Sequence, residues 1–206
     1  SLGLDTTALA EHAALCEASA ATACLVAVGG HVVQEWTAPD YRYGPFLGLA
    51  SATKSLTALL AGVLVGEGRL EGVDATVAGH LPAWTAGAEA GVTLRHLLTM
   101  TAGLGRLRPP ESVLAAPNTS AFVLRLGLEA MPGERWAYSN EGAQLLSPLL
   151  ERAAGMPLAA YVRERLFDPI GARSLRFDVD EYGTTVTFGG AEGTVRDVAR
   201  VAQLVL

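Results

Sequence analysis

A chain of 206 residues that is 50% hydrophobic and only 17% charged can build one sizeable core, which excludes intrinsic disorder. Its net charge of −6 and its scattered arginines leave no basic field to hold nucleic acid. The longest apolar run, within Leu56–Gly66, is about half of the ~20 residues that a membrane-spanning helix needs, so it reads as a buried helix. No basic segment followed by an apolar stretch and a cleavage site opens the chain, so no signal peptide is read in it and the compartment stays open.

Taken in order, residues 5–20 carry helical spacing of Leu and Ala after an Asp5 or Thr6 cap. Two β-rich runs, Cys24–Val28 and His31–Trp36, flank Gly29-Gly30, the signal of a tight hairpin. A Pro/Gly/Tyr-rich connection from Pro39 to Pro45 leads into a helix that ends near Gly66 or Gly68. Helices are predicted over 92–100 and 120–131, separated by a loop with Gly103, Gly105, Pro109 and Pro110. Two more, "EGAQLLSPLLERAAG" and "PLAAYVRERLF", join at Gly155-Met156-Pro157. Only "TTVTF" (184–188) reads as a further strand, before a helix that runs into the C-terminus. A lone hairpin is marginal, so more strands or a covering helix are expected; an unfinished sheet would leave an open edge able to pair with another chain. Cys16 and Cys24 lack a spaced partner set, which argues against a metal site or a disulfide framework, and favours two buried thiols over a single bridge.

Lys54 is the single lysine in the chain. It stands three residues after Ser51 at the head of the apolar run, in "SATKSLTALLAG". If the helix begins just after Ser51, that hydroxyl is a natural N-cap and Lys54 lies on the same face one turn on. The positive helix end and the apolar surroundings both push an ammonium there toward neutrality. That suits an amine exchanging a proton with a neighbouring serine; the plainer reading is an ordinary cap and a solvated lysine. Downstream, "PGERWAYSNEG" (132–142) places Tyr138, Ser139 and Asn140 just before an apolar helix. Asn140 reads either as the cap of that helix or as an amide for a substrate, and Tyr138 either as packing or as a general base on Ser51.

Together these stretches resemble serine β-lactamases and penicillin-binding proteins, and most closely the class C-like branch of β-lactamase-related serine hydrolases. The S-x-x-K motif is Ser51-Ala52-Thr53-Lys54, and the Y-x-N motif is Tyr138-Ser139-Asn140. "GVTLRHLLTMTAGL", "RERLFDPIGA" and "FGGAEGTVRDVARVAQLVL" match in order, so the resemblance covers nearly the whole chain. It implies an α+β fold, an antiparallel sheet flanked by helices plus a helical lobe. Within 1–206 it implies an α/β lobe from 1–50 and about 170–206, and a helical lobe of about 70–168. It also implies a metal-independent, cofactor-free hydrolase of small amide, lactam or ester substrates, in a periplasmic or secreted setting. Ser51 would be the nucleophile, Lys54 and Tyr138 its proton acceptors, and Asn140 the holder of the acyl amide.

Departures accompany the match. Met100 and Ala102 stand where many relatives carry His and Ser. The third motif, Lys-Thr-Gly or His-x-Gly, is not found: His12, His31, His80 and His96 all precede its place and read as surface or structurally satisfied residues. That motif's strand supplies one oxyanion donor in relatives, and losing one such donor costs about 3 to 4 kcal/mol. The sequence as it stands is therefore expected to be incomplete and a weak catalyst, and the alternative reading is a non-catalytic or truncated domain of the same fold.

Overall fold

The computed structural model describes residues 3–39, 46–104 and 112–206; most of the Pro39–Pro45 connection, and Gly105, Pro109 and Pro110, lie outside the described residues. The elements run α1 (Thr6–Ala18), β1 (Ala23–Val28), β2 (His31–Thr37), β3 (Leu47–Gly48), α2 (Thr53–Gly66), α3 (Leu94–Leu98), α4 (Ser112–Ala115) and α5 (Thr119–Val123). There follow α6 (Asn140–Ala154), α7 (Leu158–Val162), β4 (Arg176–Phe177), β5 (Ala191–Gly193) and α8 (Val195–Leu204). Two compact units emerge, one from Ser1–Gly48, Phe167–Leu175 and Glu192–Leu206, the other from Leu49–Leu166 and Arg176–Ala191.

In the first unit the hairpin forms as read. Gly29 and Gly30 both take positive φ, 55° and 78°, the left-handed pair that a two-residue hairpin turn requires. Strand parity sorts what each face meets. Gln34 bonds to Leu9 O and His12 of α1, while its neighbour Glu35 pairs with Arg196 of α8. The hairpin thus has one helix on each side, capped by Asp5 at Thr7 N–H for α1 and by Thr194 at Asp197 N–H for α8. No hairpin residue is fully buried. Cys16 and Cys24 are joined in a disulfide, which corrects the expectation of two thiols: helix and strand bring their Cα atoms to 6.3 Å, within bridging range.

The second unit holds the larger core. Leu56, Leu60 and Leu64, spaced one turn apart on α2, are buried, as are Leu145, Leu149 and Leu150 on α6, the helix that α2, α3, α5 and α7 all touch. The predicted helix over 120–131 stops at Val123. Tertiary bonds take its continuation apart: Trp84 Nε1 donates to Leu124 O, and the N–H groups of Glu129 and Ala130 both turn to Gly103 O. The predicted helix over 92–100 shrinks to α3, with Thr93 and His96 forming a reciprocal cap.

"TTVTF" is not a strand; it makes a single isolated bridge, Val179 to Thr185. Val186 N–H and Thr184 O still bond to the backbone of Asp178 and Asp180, but Thr185 O and both backbone groups of Thr187 go to side chains. Gln144 of α6 donates to Thr185 O (3.0 Å) and accepts from Thr187 N–H (3.0 Å), while Thr57 of α2 donates to Thr187 O (2.9 Å). Gln144, Thr57 and Thr187 are each fully buried. A Cβ on Gly190, at the end of this turn, would lie 2.7 Å from Val186 Cβ, so only glycine fits there. Gln144→Leu keeps the volume but strands the buried Thr187 N–H. We expect a loss of about 2–4 kcal/mol in urea unfolding; a change below about 0.5 kcal/mol would show that the turn is held by other means.

Candidate active site

Ser51 lies in a 3-10 turn, Ala50–Ala52, and α2 begins only at Thr53. This corrects the reading of Ser51 as the helix cap. The turn satisfies its own backbone through Ala52 N–H to Leu49 O and Thr53 N–H to Ala50 O, so the serine hydroxyl is left free for other partners. Ala50 holds a left-handed φ of 44°, a conformation that costs a non-glycine residue on the order of 1 kcal/mol. Below it, fully buried Thr53 accepts the Ala191 N–H at 3.0 Å and anchors the start of α2.

The chemistry converges on Ser51 Oγ. Tyr138 Oη lies 2.7 Å away and Lys54 Nζ donates to the same oxygen at 3.1 Å. Lys54 also donates to the Phe188 carbonyl at 2.6 Å, and its Nζ sits 5.0 Å from the Tyr138 ring centroid. Lys54 fills one of the two acceptor positions on Oγ, and Oγ and the phenol oxygen share a hydrogen bond in which either can donate. Hydrogen bonding to Lys54 first, and to Ser51 second, holds the Tyr138 phenol below the ordinary tyrosine range against the opposing effect of burial. The arrangement is that of a hydroxyl between a phenol whose ionisation is favoured and a lysine ammonium.

Tyr138 owes its place to the residues around it. Ala137 N–H donates to Met100 O at 3.1 Å, and Ser139 caps α6 by accepting the Gly142 N–H at 2.9 Å. The cap is therefore Ser139, and Asn140, the other candidate for that part, is the first residue of the helix. Asn140 Oδ1 is buried and meets no hydrogen-bond donor among the described residues. Met100, a departure noted in the sequence, holds a positive φ of 59°. The histidines lie elsewhere: His12 on Gln34, His31 on Gly29 O, His96 in the α3 cap. Sequence reading missed two supports, the Phe188 carbonyl and Gln144. A backbone carbonyl leaves no mark in residue types, and a glutamine inside an apolar helix signals only after its partners are known.

Ser51, Lys54, Tyr138 and Asn140 all belong to the second unit. The profile of the family described as "Beta-lactamase" matches residues 17–205, so the chain belongs to the β-lactamase family, among its class C-like and penicillin-binding-protein-like serine hydrolases. It is 36% identical over 149 residues to esterase EstB of Burkholderia gladioli, covering 63% of this chain and 38% of that protein. It is 31% identical over 137 residues to penicillin-binding protein 4* of Bacillus subtilis, covering 62% of this chain and 30% of that protein. The octameric penicillin-binding protein homologue from Pyrococcus abyssi shares the α+β fold at a TM-score of 0.74 and 23% identity, over 98% of this chain and 56% of that one. The chain thus spans less than two-fifths of these curated relatives.

Of the five tyrosines, Tyr161 is pushed up to about 12 by burial and by its bond to Glu67, so it ionises well after Tyr138. In an absorbance titration of phenolate, an early transition below the ordinary tyrosine range is expected, and it should vanish in Tyr138→Phe. In Lys54→Met it should move to higher pH, because the largest cause of the lowered value is gone. An early transition that stays put in Lys54→Met would sever the link between the two residues.

Proposed function

We propose that this chain supplies the nucleophile of a hydrolase that cleaves small ester or amide carbonyl compounds through an acyl-enzyme on Ser51. The 2.7 Å contact between Ser51 Oγ and Tyr138 Oη, with Lys54 on the same oxygen, supports this reading most. Tyr138 as phenolate takes the Ser51 proton while Oγ attacks the carbonyl carbon; Lys54 keeps the phenolate accessible and orients the nucleophile. The leaving group takes that proton from Tyr138; in the second half Tyr138 draws a proton from water as it attacks the acyl ester, and passes it to Ser51 Oγ as the bond to the acyl carbon breaks and the acid departs. The Ser51 N–H, at the turn before α2, faces the developing oxyanion. Asn140, with its unpartnered buried oxygen, receives the amide N–H of an acyl side chain. Among ester, lactam, D-alanyl peptide and linear amide, the 36% identity to an esterase favours the ester.

Ser51→Ala is expected to abolish labelling by a fluorophosphonate and by a fluorescent penicillin; labelling equal to the parent would remove Ser51 as nucleophile. Lys54→Arg keeps the charge but fits a different fork, and should cost about 100-fold or more in kcat/KM on p-nitrophenyl acetate. Since the acceptor is the phenolate, activity should climb with pH through the Tyr138 transition, and Tyr138→Phe should lose about 10²–10⁴-fold. Asn140→Ala should raise KM for substrates with an acyl amide, such as nitrocefin, and leave p-nitrophenyl acetate nearly unchanged. Equal effects on both substrates would take the amide-binding role from Asn140.

A further inference from the structure

Lys54 Nζ is held by a backbone carbonyl, Phe188 O at 2.6 Å, and what holds that carbonyl lies deeper in the second unit. Upstream, Thr187 is tied at both of its backbone groups. Its N–H donates to Gln144 Oε1 at 3.0 Å, and its carbonyl accepts from Thr57 Oγ1 at 2.9 Å. Only the two backbone torsions of Phe188, whose ring is buried, separate these ties from the carbonyl on Lys54. Downstream, Gly190 O and Ala191 N–H are held too, by Asp178 N–H and by Thr53 Oγ1. Gly189 stands between them and the carbonyl, however, and glycine is permissive in both torsions. The Thr187 side is therefore the stiffer support.

Gln144 suits this part because its amide is used at both ends. Nε2 donates to Thr119 Oγ1 at 2.8 Å and to Thr185 O at 3.0 Å, which occupies both of its protons. Thr119, accepting there, sends its own hydroxyl proton to Asp180 Oδ2 at 2.9 Å. The atom that faces the Thr187 N–H is then Oε1, so the orientation of the amide follows from its neighbours. Thr187 Oγ1 adds a bond to Ala143 O of α6 at 2.8 Å. Gln144, Thr57, Thr119 and Thr187 are all buried, and in such an interior the loss of one partner strands the other. Among the described residues Gln144 makes no hydrogen bond to Ser51, Lys54 or Tyr138, so whatever it does for them passes through Thr187.

We infer that Gln144 is a positioning residue of the serine site: through the Thr187 backbone and the Phe188 carbonyl it sets where Lys54 Nζ stands and, on the reading of Ser51 as nucleophile, how fast that hydroxyl attacks. Without the amide, the Thr187 N–H turns to another acceptor and carries the Phe188 carbonyl off Nζ. The ammonium then swings toward water on its flexible stem. Tyr138 loses the neighbour that most favours its ionised form, and Ser51 Oγ loses a donor. A residue that served the fold alone would act otherwise, since any core substitution of equal cost would then do the same.

The test uses the full 206-residue chain, with phenolate absorbance titration and the rate of fluorophosphonate labelling as readouts, on variants that circular dichroism shows to be folded. Gln144→Leu should move the early Tyr138 transition to higher pH and slow labelling by about tenfold or more. Leu149→Ala, a truncation of a buried side chain on the same helix, should lower the urea midpoint comparably and leave both readouts at the parent values. In the Lys54→Met background, Gln144→Leu should shift the transition no further, because its effect passes through the ammonium. Thr57→Val removes the second tie and should act as Gln144→Leu does, while Thr57→Ser keeps the hydroxyl and should restore parent behaviour. That pair decides the question if Gln144→Leu does not fold. A Tyr138 transition that stays put in Thr57→Val and in folded Gln144→Leu overturns the proposal, as does an equal shift in Leu149→Ala or a further shift in the Lys54→Met background. Labelling that persists in Ser51→Ala would instead remove the nucleophile, and the titrations would still decide whether Gln144 positions Lys54.

Discussion

The ammonium of Lys54 is tied at two points, the Phe188 carbonyl at 2.6 Å and the Ser51 hydroxyl at 3.1 Å, and the candidate site depends on the first of these ties. A lysine held only by a serine could swing into water on its flexible stem. The carbonyl fixes Nζ beside the Tyr138 ring, and from there Lys54 holds the phenol below its ordinary range and donates to Oγ. The position of that carbonyl is itself inherited. Thr187, one residue before it, is locked by Gln144 and Thr57, so the α2–α6 core reaches the reactive oxygen through buried hydrogen bonds. Such ties are stiff because an unmade bond in a dry interior costs more than a made one returns.

Helix α6 carries the other half of the arrangement. Its cap, Ser139, stands between a phenol and an amide: Tyr138 precedes it and Asn140 follows it. Capping fixes the direction from which the chain enters the helix, and hence where a side chain one residue earlier points. The Y-x-N spacing is then a geometric statement, with the middle residue spent on the helix and the two outer ones free for chemistry. A left-handed Ala50 on the α2 side and a left-handed Met100 beneath Ala137 mark where backbone strain is held close to the same place.

The disulfide shows how proximity escapes a reading by spacing. Cys16 and Cys24, eight positions apart, lack the spaced partner set that marks a disulfide framework, and His12 adds nothing to such a count. Once α1 lies along the hairpin, one helical turn and one strand position place all three on a common face, with Gln34 behind them. Here the pairing belongs to two elements in contact and has no linear signature.

Local chemistry alone determined the strongly punctuated elements: the Gly29-Gly30 hairpin, α1 after Asp5, and the apolar α2 and α6, together with the residues of the two motifs and the family they mark. These follow from periodicity, turn stereochemistry and residue type, which act within a few positions of the chain. Tertiary structure decided where 120–131 stops being a helix, why 184–188 is a side-chain-bonded turn and not a strand, and that Ser139 and not Asn140 caps α6. It also decided that Ser51 and Tyr138, 87 residues apart, share a hydrogen bond. In each case a backbone or hydroxyl group had more than one partner within reach of its chemistry, and the choice fell to whichever the packed core brought nearest.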